Sequence, residues 1–202
     1  MSDRQTDPKL FIEEQDLLLD GYRLGVRIFN SGFRPDFIVG IWRGGSAVGI
    51  VVQECLQYLG IETDHISIRT SYRGKSTYQD VIDHADSIRV HGAQYLYETM
   101  NAADKLLIVD DVYSSGLNIK AVIDRLRAKM RRNMPADVRV AVPWYKPARN
   151  RTNRIPDYYL HETDQWLVLP YELNSLTLEE IYRHKTGLAP IFEEMKDFLP
   201  EV

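Results

Sequence analysis

A run of four apolar residues followed by two aspartates constrains the fold more than any other segment. The run is Leu106-Leu107-Ile108-Val109, and Asp110 and Asp111 follow it directly. A short, continuously apolar segment bounded by polar residues is typical of a strand that is buried on both faces. Such strands belong to parallel sheets that are covered by helices. The segment therefore predicts an α/β fold with the acidic pair at a strand end.

The rest of the chain alternates strand and helix patterns as such a fold requires. Apolar periodicity predicts helices over residues 13–30, 46–59 and 118–134, with one or two more in the tail. Further strands are predicted at 37–41, 65–70, 138–142, 158–160 and 167–169. The predicted apolar side of the first helix consists of Leu17, Leu18, Tyr22, Leu24, Val26 and Ile28. This alternation predicts a mostly parallel sheet flanked by helices.

No repeat, low-complexity tract or linker divides the 202 residues. A single domain over residues 1–202 is therefore expected, with a core at about 36–172 and a helical tail at about 175–199. Residues 70–87 are polar and mix charges of both signs, which predicts a long, flexible hood loop. Long connections of this kind in compact domains are usually functional lids or disordered.

Composition excludes several classes of protein. The chain has 25 Lys and Arg against 29 Asp and Glu, a net charge of −4, whereas binders of duplex nucleic acid carry a basic excess. No apolar run approaches the roughly 20 residues that span a bilayer, and the first residues lack the apolar core of a signal peptide. We therefore expect a soluble, cytoplasmic protein. The single Cys55 excludes an internal disulfide and a multi-cysteine metal site.

Two other sets of side chains have plain structural explanations. The five histidines show no metal-ligand spacing such as His-Glu-x-x-His, so structural or exposed positions are expected for them. A basic run closes the third predicted helix, where cations favour the helix dipole; it consists of Arg125, Arg127, Lys129, Arg131 and Arg132. Nucleic-acid binding by this run is the alternative.

The residues after the acidic pair carry the most specific chemistry. Ser114, Ser115 and Gly116 form a small loop, and Leu117 and Asn118 lead into the next predicted helix. A helix start offers free backbone N–H groups and the positive end of the dipole, which suit a phosphate. The preceding carboxylates can accept hydrogen bonds from a diol or help to hold a divalent cation. Both features together suit a ribose 5-phosphate group.

Paired acids after an apolar strand also occur in nucleoside triphosphatases and as ordinary polar strand ends. The chain contains no Gly-x-x-x-x-Gly-Lys-Ser/Thr sequence, which excludes a P-loop. No Gly-x-Gly-x-x-Gly sequence follows a strand, which weakens the case for a dinucleotide site. A purely structural role of the pair stays as the alternative.

The segment 106–118 resembles the signature of the type I phosphoribosyltransferases, in which two acidic residues and a Thr/Ser/Gly loop bind phosphoribosyl pyrophosphate. Residues 38–45 are similar to the pyrophosphate loop of that family, which often contains a non-proline cis peptide bond. Ser71 and Tyr72 resemble a Ser-Tyr pair on its flexible hood. Three segments of this chain resemble the base-binding region of the hypoxanthine–guanine and xanthine–guanine enzymes, namely 144–147, 156–159 and 162–172.

The resemblance implies an enzyme, a homodimer that uses Mg²⁺ and moves a 5-phosphoribosyl group to a nitrogenous base. A 6-oxopurine in purine salvage is the implied acceptor. Catalytic roles are implied for Asp110, Asp111 and Arg43, and magnesium binding for Asp110, Asp111 and Glu172. Substrate binding is implied for Gly44, Gly45, Ser71, Tyr72, Ser114, Ser115, Gly116, Leu117, Asn118, Lys146, Trp166 and Leu167.

Physical chemistry agrees with the implied roles. Gly44 and Gly45 let a backbone approach pyrophosphate closely, and Arg43 can form charge-assisted hydrogen bonds with phosphate oxygens. The resemblance implies that Lys146 donates to a purine 6-oxo group and that Trp166 stacks on the base, as aromatic faces do. A solvated surface arginine and a core tryptophan are the alternatives for Arg43 and Trp166.

The chain departs from the 6-oxopurine enzymes at Ser114, where they usually have an aspartate near purine N7. Serine is not a comparable base at neutral pH. Asn118 replaces a threonine or glycine-type residue, although its amide still offers a donor. The departure at Ser114 leaves two alternatives to a purine enzyme: a transferase with a non-purine acceptor, and a regulatory or nucleotide-sensing protein on the same fold.

Overall fold

The computed structural model describes residues 9–71, 88–174 and 176–194. The chain divides into two compact units, Leu18–Asp164 and, from the two ends, Met1–Leu17 with Gln165–Val202. We call them the sheet unit and the terminal unit. The single domain expected over the whole chain stays a prediction. Within the described ranges, no helix is both long enough and apolar enough to cross a bilayer.

Strands and helices alternate along the described residues. In chain order the elements are β1 (Lys9–Phe11), α1 (Glu14–Asn30), β2 (Phe37–Trp42), α2 (Gly44–Tyr58), β3 (Asp64–Ser71), β4 (Arg89–His91), α3 (Gln94–Thr99), β5 (Lys105–Val109), β6 (Val112–Tyr113), α4 (Leu117–Met130), β7 (Asp137–Tyr145), β8 (Tyr158–Glu162), β9 (Trp166–Val168), α5 (Leu178–His184) and α6 (Ala189–Glu194). The predicted α/β class is confirmed.

The sheet unit contains one large sheet in the order β4-β3-β2-β5-β7-β8, and β6 continues β5 along β7. Among the described pairings in this sheet only β3 with β4 is antiparallel. The carboxyl ends of β2, β5 and β7 therefore meet at one edge, where ligands bind in sheets of this type. The mostly parallel sheet flanked by helices is confirmed.

The core of the sheet unit lies where α4 packs on the sheet. Ile119, Val122, Ile123 and Leu126 of α4 are buried, as their helical spacing predicts. They pack in one cluster with strand residues such as Ile108. The helix begins one residue before its predicted start and ends at Met130, where the short 3-10 turn Arg131–Asn133 follows.

The predicted apolar side of α1 is partly wrong. Leu17, Leu24 and Ile28 are buried, but the other three residues assigned to that side are exposed, namely Leu18, Tyr22 and Val26. The buried side is instead completed by Gly21 and Gly25, where an added Cβ would lie 2.7 Å from Val51 Cγ1 and 2.6 Å from Cys55 Cβ. Close packing of α1 on α2 thus depends on two small residues, which a count of apolar side chains overlooks.

The terminal unit contains a separate two-stranded sheet in which β1 pairs in parallel with β9. Its helix α5 begins with a capping box, in which Thr177 and Glu180 satisfy each other's backbone N–H groups. Lys9 forms a 2.6 Å ion pair with Glu180. This unit confirms the helical tail for residues 178–194 and adds β1, which the sequence analysis did not predict.

Candidate active site

Asp110 and Asp111 follow the end of β5, as predicted, and precede the short strand β6. Val109 pairs with Ala141 and Val112 with Trp144, so the register on β7 is the same before and after the acids. The Asp110 N–H donates to the Ala141 carbonyl at 3.1 Å. Ile108 before the acids and Tyr113 after them belong to the same core cluster. The two acids therefore lie between two paired stretches of one ladder.

Gly45 brings the predicted pyrophosphate loop against the acidic pair. A Cβ at this position would lie 2.4 Å from the Val109 carbonyl oxygen, 2.8 Å from Asp110 Cα and 3.0 Å from Asp110 Oδ1. Only glycine fits such a close approach between two backbones. The structure thus places the start of α2 directly beside the acids, which the sequence analysis proposed only through the resemblance.

The loop before Gly45 has the features that the resemblance implies. The peptide bond between Trp42 and Arg43 is cis. Arg43 is exposed, and α2 begins at Gly44, two residues earlier than the apolar periodicity predicts. The first turn of α2 therefore directs free backbone N–H groups to this edge of the sheet. A helix start so close to the acids offers donors for an anion held next to them.

The surroundings of the acidic pair disfavour the ionised form of Asp110. Burial raises the pKa of the Asp110 carboxyl well above its usual range, and the neighbouring charge of Asp111 raises it further. Each carboxylate also accepts a local backbone N–H, from Asp111 at 3.0 Å and from Val112 at 2.8 Å. A divalent cation would relieve the repulsion between the two charges, so their chemistry fits Mg²⁺. No group of three or more metal-ligating side chains occurs within residues 9–71, 88–174 and 176–194.

The loop 114–118, which is predicted to bind a phosphate and which we call the phosphate loop, follows β6 and packs against Tyr113. Gly116 has φ +74°, and a Cβ on it would lie 2.5 Å from the Tyr113 hydroxyl oxygen. Ser115 Oγ accepts the Leu117 N–H at 3.4 Å, and the Ser115 carbonyl accepts the Arg151 N–H at 3.0 Å. The helix α4 then begins at Leu117. Ser114 and Asn118 are half-buried, so the loop presents their polar side chains beside a helix start.

Lys146 lies at the end of β7, beside the phosphate loop. Its N–H donates to the Tyr113 carbonyl at 2.9 Å, and its side chain is buried. The sequence analysis placed Lys146 four residues beyond a strand that ended at Val142, whereas β7 continues to Tyr145. The longer strand fixes the backbone of Lys146 relative to β6.

Only one end of the predicted hood belongs to the described residues. Ser71 ends β3, and its hydroxyl lies 2.8 Å from His91 Nε2 on the paired strand β4. Tyr72 and the rest of the predicted hood up to residue 87 lie outside the described residues, so the hood stays a prediction. His91 is a partner that the sequence analysis missed, because β4 has only three residues and no apolar pattern.

Three predicted site residues belong to the terminal unit. Trp166 is 48% exposed, which excludes the alternative of a core tryptophan, and Leu167 is buried. A Glu172 carboxylate oxygen accepts the Leu169 N–H at 3.1 Å. The buried Lys185 donates to the carbonyls of Leu169 and Pro170, at 3.0 and 2.7 Å.

Lys185 therefore fixes the segment that carries Trp166, and burial lowers the pKa of its amine. The sequence analysis missed this role. The residue stands at the end of a helical pattern, where a lysine is normally solvated. The four described histidines contact other side chains, as expected for structural positions: His65 with Gln53, His91 with Ser71, His161 with Asp20 and His184 with Phe11.

Comparison with solved structures shows the same fold in several enzymes. A purine phosphoribosyltransferase from Pyrococcus horikoshii is 20% identical with a TM-score of 0.61, over 84% of this chain and 97% of its own. Helicobacter pylori xanthine-guanine-hypoxanthine phosphoribosyltransferase is 15% identical with a TM-score of 0.61, over 88% and 100%. A hypothetical protein from Neisseria gonorrhoeae with bound ppGpp is 19% identical with a TM-score of 0.65, over 91% and 99%.

No curated protein is similar enough in sequence to count as a relative. The family model described as "Phosphoribosyl transferase domain", however, matches residues 13–175. That range contains the acidic pair, the glycine loop beside it, the phosphate loop and Lys146. The match covers most of the chain and agrees with the architecture of the sheet, so the chain belongs to the phosphoribosyltransferase family.

Proposed function

We propose that the protein transfers the 5-phosphoribosyl group of phosphoribosyl pyrophosphate to a ring nitrogen of a 6-oxopurine, such as hypoxanthine, guanine or xanthine, in cytoplasmic purine salvage. The observation that carries the proposal is the contact of Gly45 with Val109 and Asp110. It joins a loop suited to pyrophosphate and a carboxylate pair suited to ribose hydroxyls at one sheet edge. The phosphate loop comes directly after the carboxylate pair and the two residues of β6.

In this reaction the C1–O bond to pyrophosphate breaks, the bond from C1 to the base nitrogen forms, and a proton leaves the base. Asp110 and Asp111 orient the ribose hydroxyls, and the residues from Ser114 to Asn118 anchor the 5-phosphate. Arg43 and the first N–H groups of α2 stabilise the charge that develops on the leaving pyrophosphate. Positioning and electrostatics account for most of the rate enhancement in this scheme.

Magnesium is part of the proposal. Asp110 and Asp111 would hold one ion and Glu172 would help to hold a second, and the metal supplies positive charge for the leaving group. Burial and, next, the neighbouring charge of Asp111 raise the pKa of Asp110, and a bound cation would favour the ionised carboxylate, which supports this assignment.

The acceptor is proposed to be a purine on the basis of two residues. Lys146 would donate to the 6-oxo group, and the exposed ring of Trp166 would stack on the base, with backbone contacts from Leu167. Two solved structures of the same fold carry the names of purine enzymes, which supports this choice.

A second candidate function is nucleotide sensing without turnover. Ser114 favours it, because the loop lacks a carboxylate that could accept the proton of the base. The Neisseria gonorrhoeae structure of the same fold contains ppGpp, a nucleotide whose phosphates suit the same loops. A non-purine acceptor is the remaining candidate, and Ser114 is again the residue that favours it.

A pyrophosphate-release assay tests these candidates. The protein is incubated with phosphoribosyl pyrophosphate, Mg²⁺ and a panel of purine and non-purine bases, and donor and ppGpp binding are measured by calorimetry. Release that depends on hypoxanthine, guanine or xanthine is the expected result. Release with a non-purine base alone contradicts the purine assignment, and tight binding of donor or ppGpp without release for any base indicates a sensor.

A further inference from the structure

A cavity of about 380 Å³ lies between α4 and the loop after the short turn Pro147–Arg149. Its lining includes none of the residues assigned to the active site. The α4 side contributes Lys120, Ile123, Asp124 and Arg127, and the loop contributes Thr152, Asn153 and Arg154. This volume falls within the range of about 300–1,000 Å³ that is typical of small-molecule sites.

The wall of the cavity carries an excess of positive charge. Lys120, Arg127 and Arg154 supply three cationic side chains, and Asp124 supplies one carboxylate. Asp124 lies 2.5 Å from the Lys120 amine and 4.0 Å from the Arg127 guanidinium, so one acid is shared between two cations. The chain as a whole is acidic, which makes a local basic excess around a concave site a distinctive feature.

Arg154 is held in position by contacts that leave one of its donors unused. A terminal nitrogen of Arg154 donates to the Val138 carbonyl at 2.5 Å and to Asp157 Oδ2 at 2.8 Å. Its Nε is buried and has no hydrogen-bond partner among the described residues. An unpaired buried N–H is unfavourable, so the contacts within the described residues leave the guanidinium of Arg154 incompletely satisfied.

We propose that this cavity is a second binding site, for the phosphate group of a small phosphorylated metabolite or for free phosphate. The cationic wall of Lys120, Arg127 and Arg154 neutralises the anion, and the side-chain amide of Asn153 adds a donor. Buried Tyr113 and Ile123 close the floor. Arg127, a member of the basic run near the end of α4, thereby gains a ligand beyond the helix dipole.

The cavity is joined to the phosphate loop of the active site by two contacts. Tyr113 lines the cavity, its hydroxyl lies within hydrogen-bond distance of Thr152, and its ring packs against Gly116. In the same loop as Thr152, Arg151 donates its N–H to the Ser115 carbonyl. An anion that moves Thr152 or Tyr113 therefore acts on the loop that anchors the 5-phosphate. This coupling rests on the proposed function, whereas the binding itself does not.

Nuclear magnetic resonance titration tests the binding. Inorganic phosphate and, separately, ribose 5-phosphate are added to isotope-labelled protein, and backbone amide signals of Ile123 and Asn153 are followed beside those of Ser115 and Gly116. Saturable shifts at the cavity amides are expected for one or both probes. Tighter binding of ribose 5-phosphate indicates an organic ligand, and equal affinities indicate that the phosphate group alone is recognised. Shifts confined to the phosphate loop overturn the proposal.

Three variants make the test specific to the cavity. Lys120→Ala/Arg127→Ala is expected to weaken the cavity titration by roughly fivefold or more, the scale of one exposed charge contact. Asp124→Asn is expected to tighten it, because the competing carboxylate is gone. Arg125→Ala removes one positive charge from a position on α4 that does not line the cavity, and it is expected to leave the titration unchanged. A cavity titration that none of these variants alters is the signature of an adventitious ion only, and it overturns the proposal.

The coupling is tested with the donor. Calorimetry measures the affinity for phosphoribosyl pyrophosphate at increasing phosphate concentrations, in the native chain, Lys120→Ala/Arg127→Ala and Arg125→Ala. Competition at the active site affects all three proteins alike, so a different phosphate dependence in the double variant alone is the expected result. Identical dependence in all three overturns the coupling. Absence of donor binding in every protein contradicts the proposed function and leaves the titration of the cavity to stand on its own.

Discussion

At the scale of single residues, the acidic pair determines what the sheet edge can bind. Asp110→Asn/Asp111→Asn is expected to weaken binding of the donor with Mg²⁺ by roughly tenfold or more, the scale of one charge-assisted hydrogen bond. Turnover falls with it, while the fold is retained because the core does not depend on either carboxylate. Calorimetry and pyrophosphate release measure both effects, with Glu54→Gln on the exposed side of α2 as the matched control. Unchanged donor affinity in the double variant would contradict the assignment of the ribose site.

The raised pKa of Asp110 also predicts how stability depends on pH. The folded chain holds this proton more tightly than the unfolded chain, whose carboxyl pKa is about 4. The contribution to stability is therefore complete below that value and is lost as the pH rises through the folded pKa. Asp110→Asn removes this loss, so its Tm exceeds that of the native chain at pH 7, and the difference shrinks towards pH 4. A Tm difference that stays constant with pH contradicts the raised pKa.

Ser114 is the residue on which the acceptor depends. General acid–base help is worth about 10²–10⁴ in rate, so Ser114→Asp should raise kcat on hypoxanthine or guanine by part of that factor. Ser114→Asn introduces a side chain with the shape of aspartate but without a carboxylate that can accept a proton, and it serves as the control. If the native chain works on a non-purine base, the new carboxylate instead slows turnover by repelling the 5-phosphate. That outcome defeats the purine assignment and leaves the family unaffected.

Trp166 separates base binding from donor binding. Its exposed ring is available for stacking, which is worth about 1–3 kcal/mol for a base on an aromatic side chain. Trp166→Ala is therefore expected to raise KM for the base with little change in donor affinity. Tyr58→Ala, at a ring that is 92% exposed on α2, is the control and leaves both constants unchanged. A large drop in Tm with unchanged KM would identify the ring as a structural contact.

At the scale of elements, the contact between α2 and β5 assembles the site. Gly45→Ala places a methyl group 2.4 Å from a backbone oxygen, so α2 must move away from Asp110. Overpacking of this kind costs about 1–3 kcal/mol of stability, and we expect donor affinity to fall as well. Gly187→Ala adds the same methyl group where nothing lies within 4 Å, and it tests whether the loss is specific. Denaturant unfolding and donor calorimetry provide the two measurements, and normal donor binding by Gly45→Ala contradicts the assembly of the site at this contact.

Elements with a strong local pattern could be predicted from the sequence, whereas element bounds that depend on pairing with another strand could not. The apolar run of β5 and the amphipathic spacing of α4 gave correct elements, because burial alone decides them. The predicted end of β7 was three residues short, since Pro143 normally breaks a ladder. Here the missing N–H of Pro143 falls beside the interruption at Asp111, where the ladder is already irregular.

The same distinction applies to the candidate site: groups of adjacent residues could be predicted, and contacts between distant residues could not. The phosphate loop could be predicted because Ser114 to Asn118 are adjacent in sequence, next to the two acids. The approach of Gly45 to Asp110 joins residues that are far apart in the chain, and no local pattern reports it. The same holds for Lys185, whose partners are backbone carbonyls that any sequence would provide.

At the scale of the whole molecule, we propose that the protein is a homodimer. The exposed side of α1 carries Leu19, Tyr22 and Val26 around a hollow of about 510 Å³, which is also lined by Arg23, Arg27 and Asn30. A patch of adjacent apolar side chains on a surface is typical of an interface. Tyr22→Ser/Val26→Ser should halve the mass measured by light scattering, whereas Tyr58→Ser should not. A native chain of monomer mass contradicts the dimer.

The unchanged register across Asp110 and Asp111 has a consequence for how such a chain can diverge. The ladder there uses the N–H of Asp110 and the carbonyl of Asp111, and every amino acid except proline supplies both groups. Mutation can therefore alter the charge and shape of this edge while the pairing of β5, β6 and β7 persists. The chemistry of this edge is therefore less tightly bound to the fold than the chemistry of a side chain in the core.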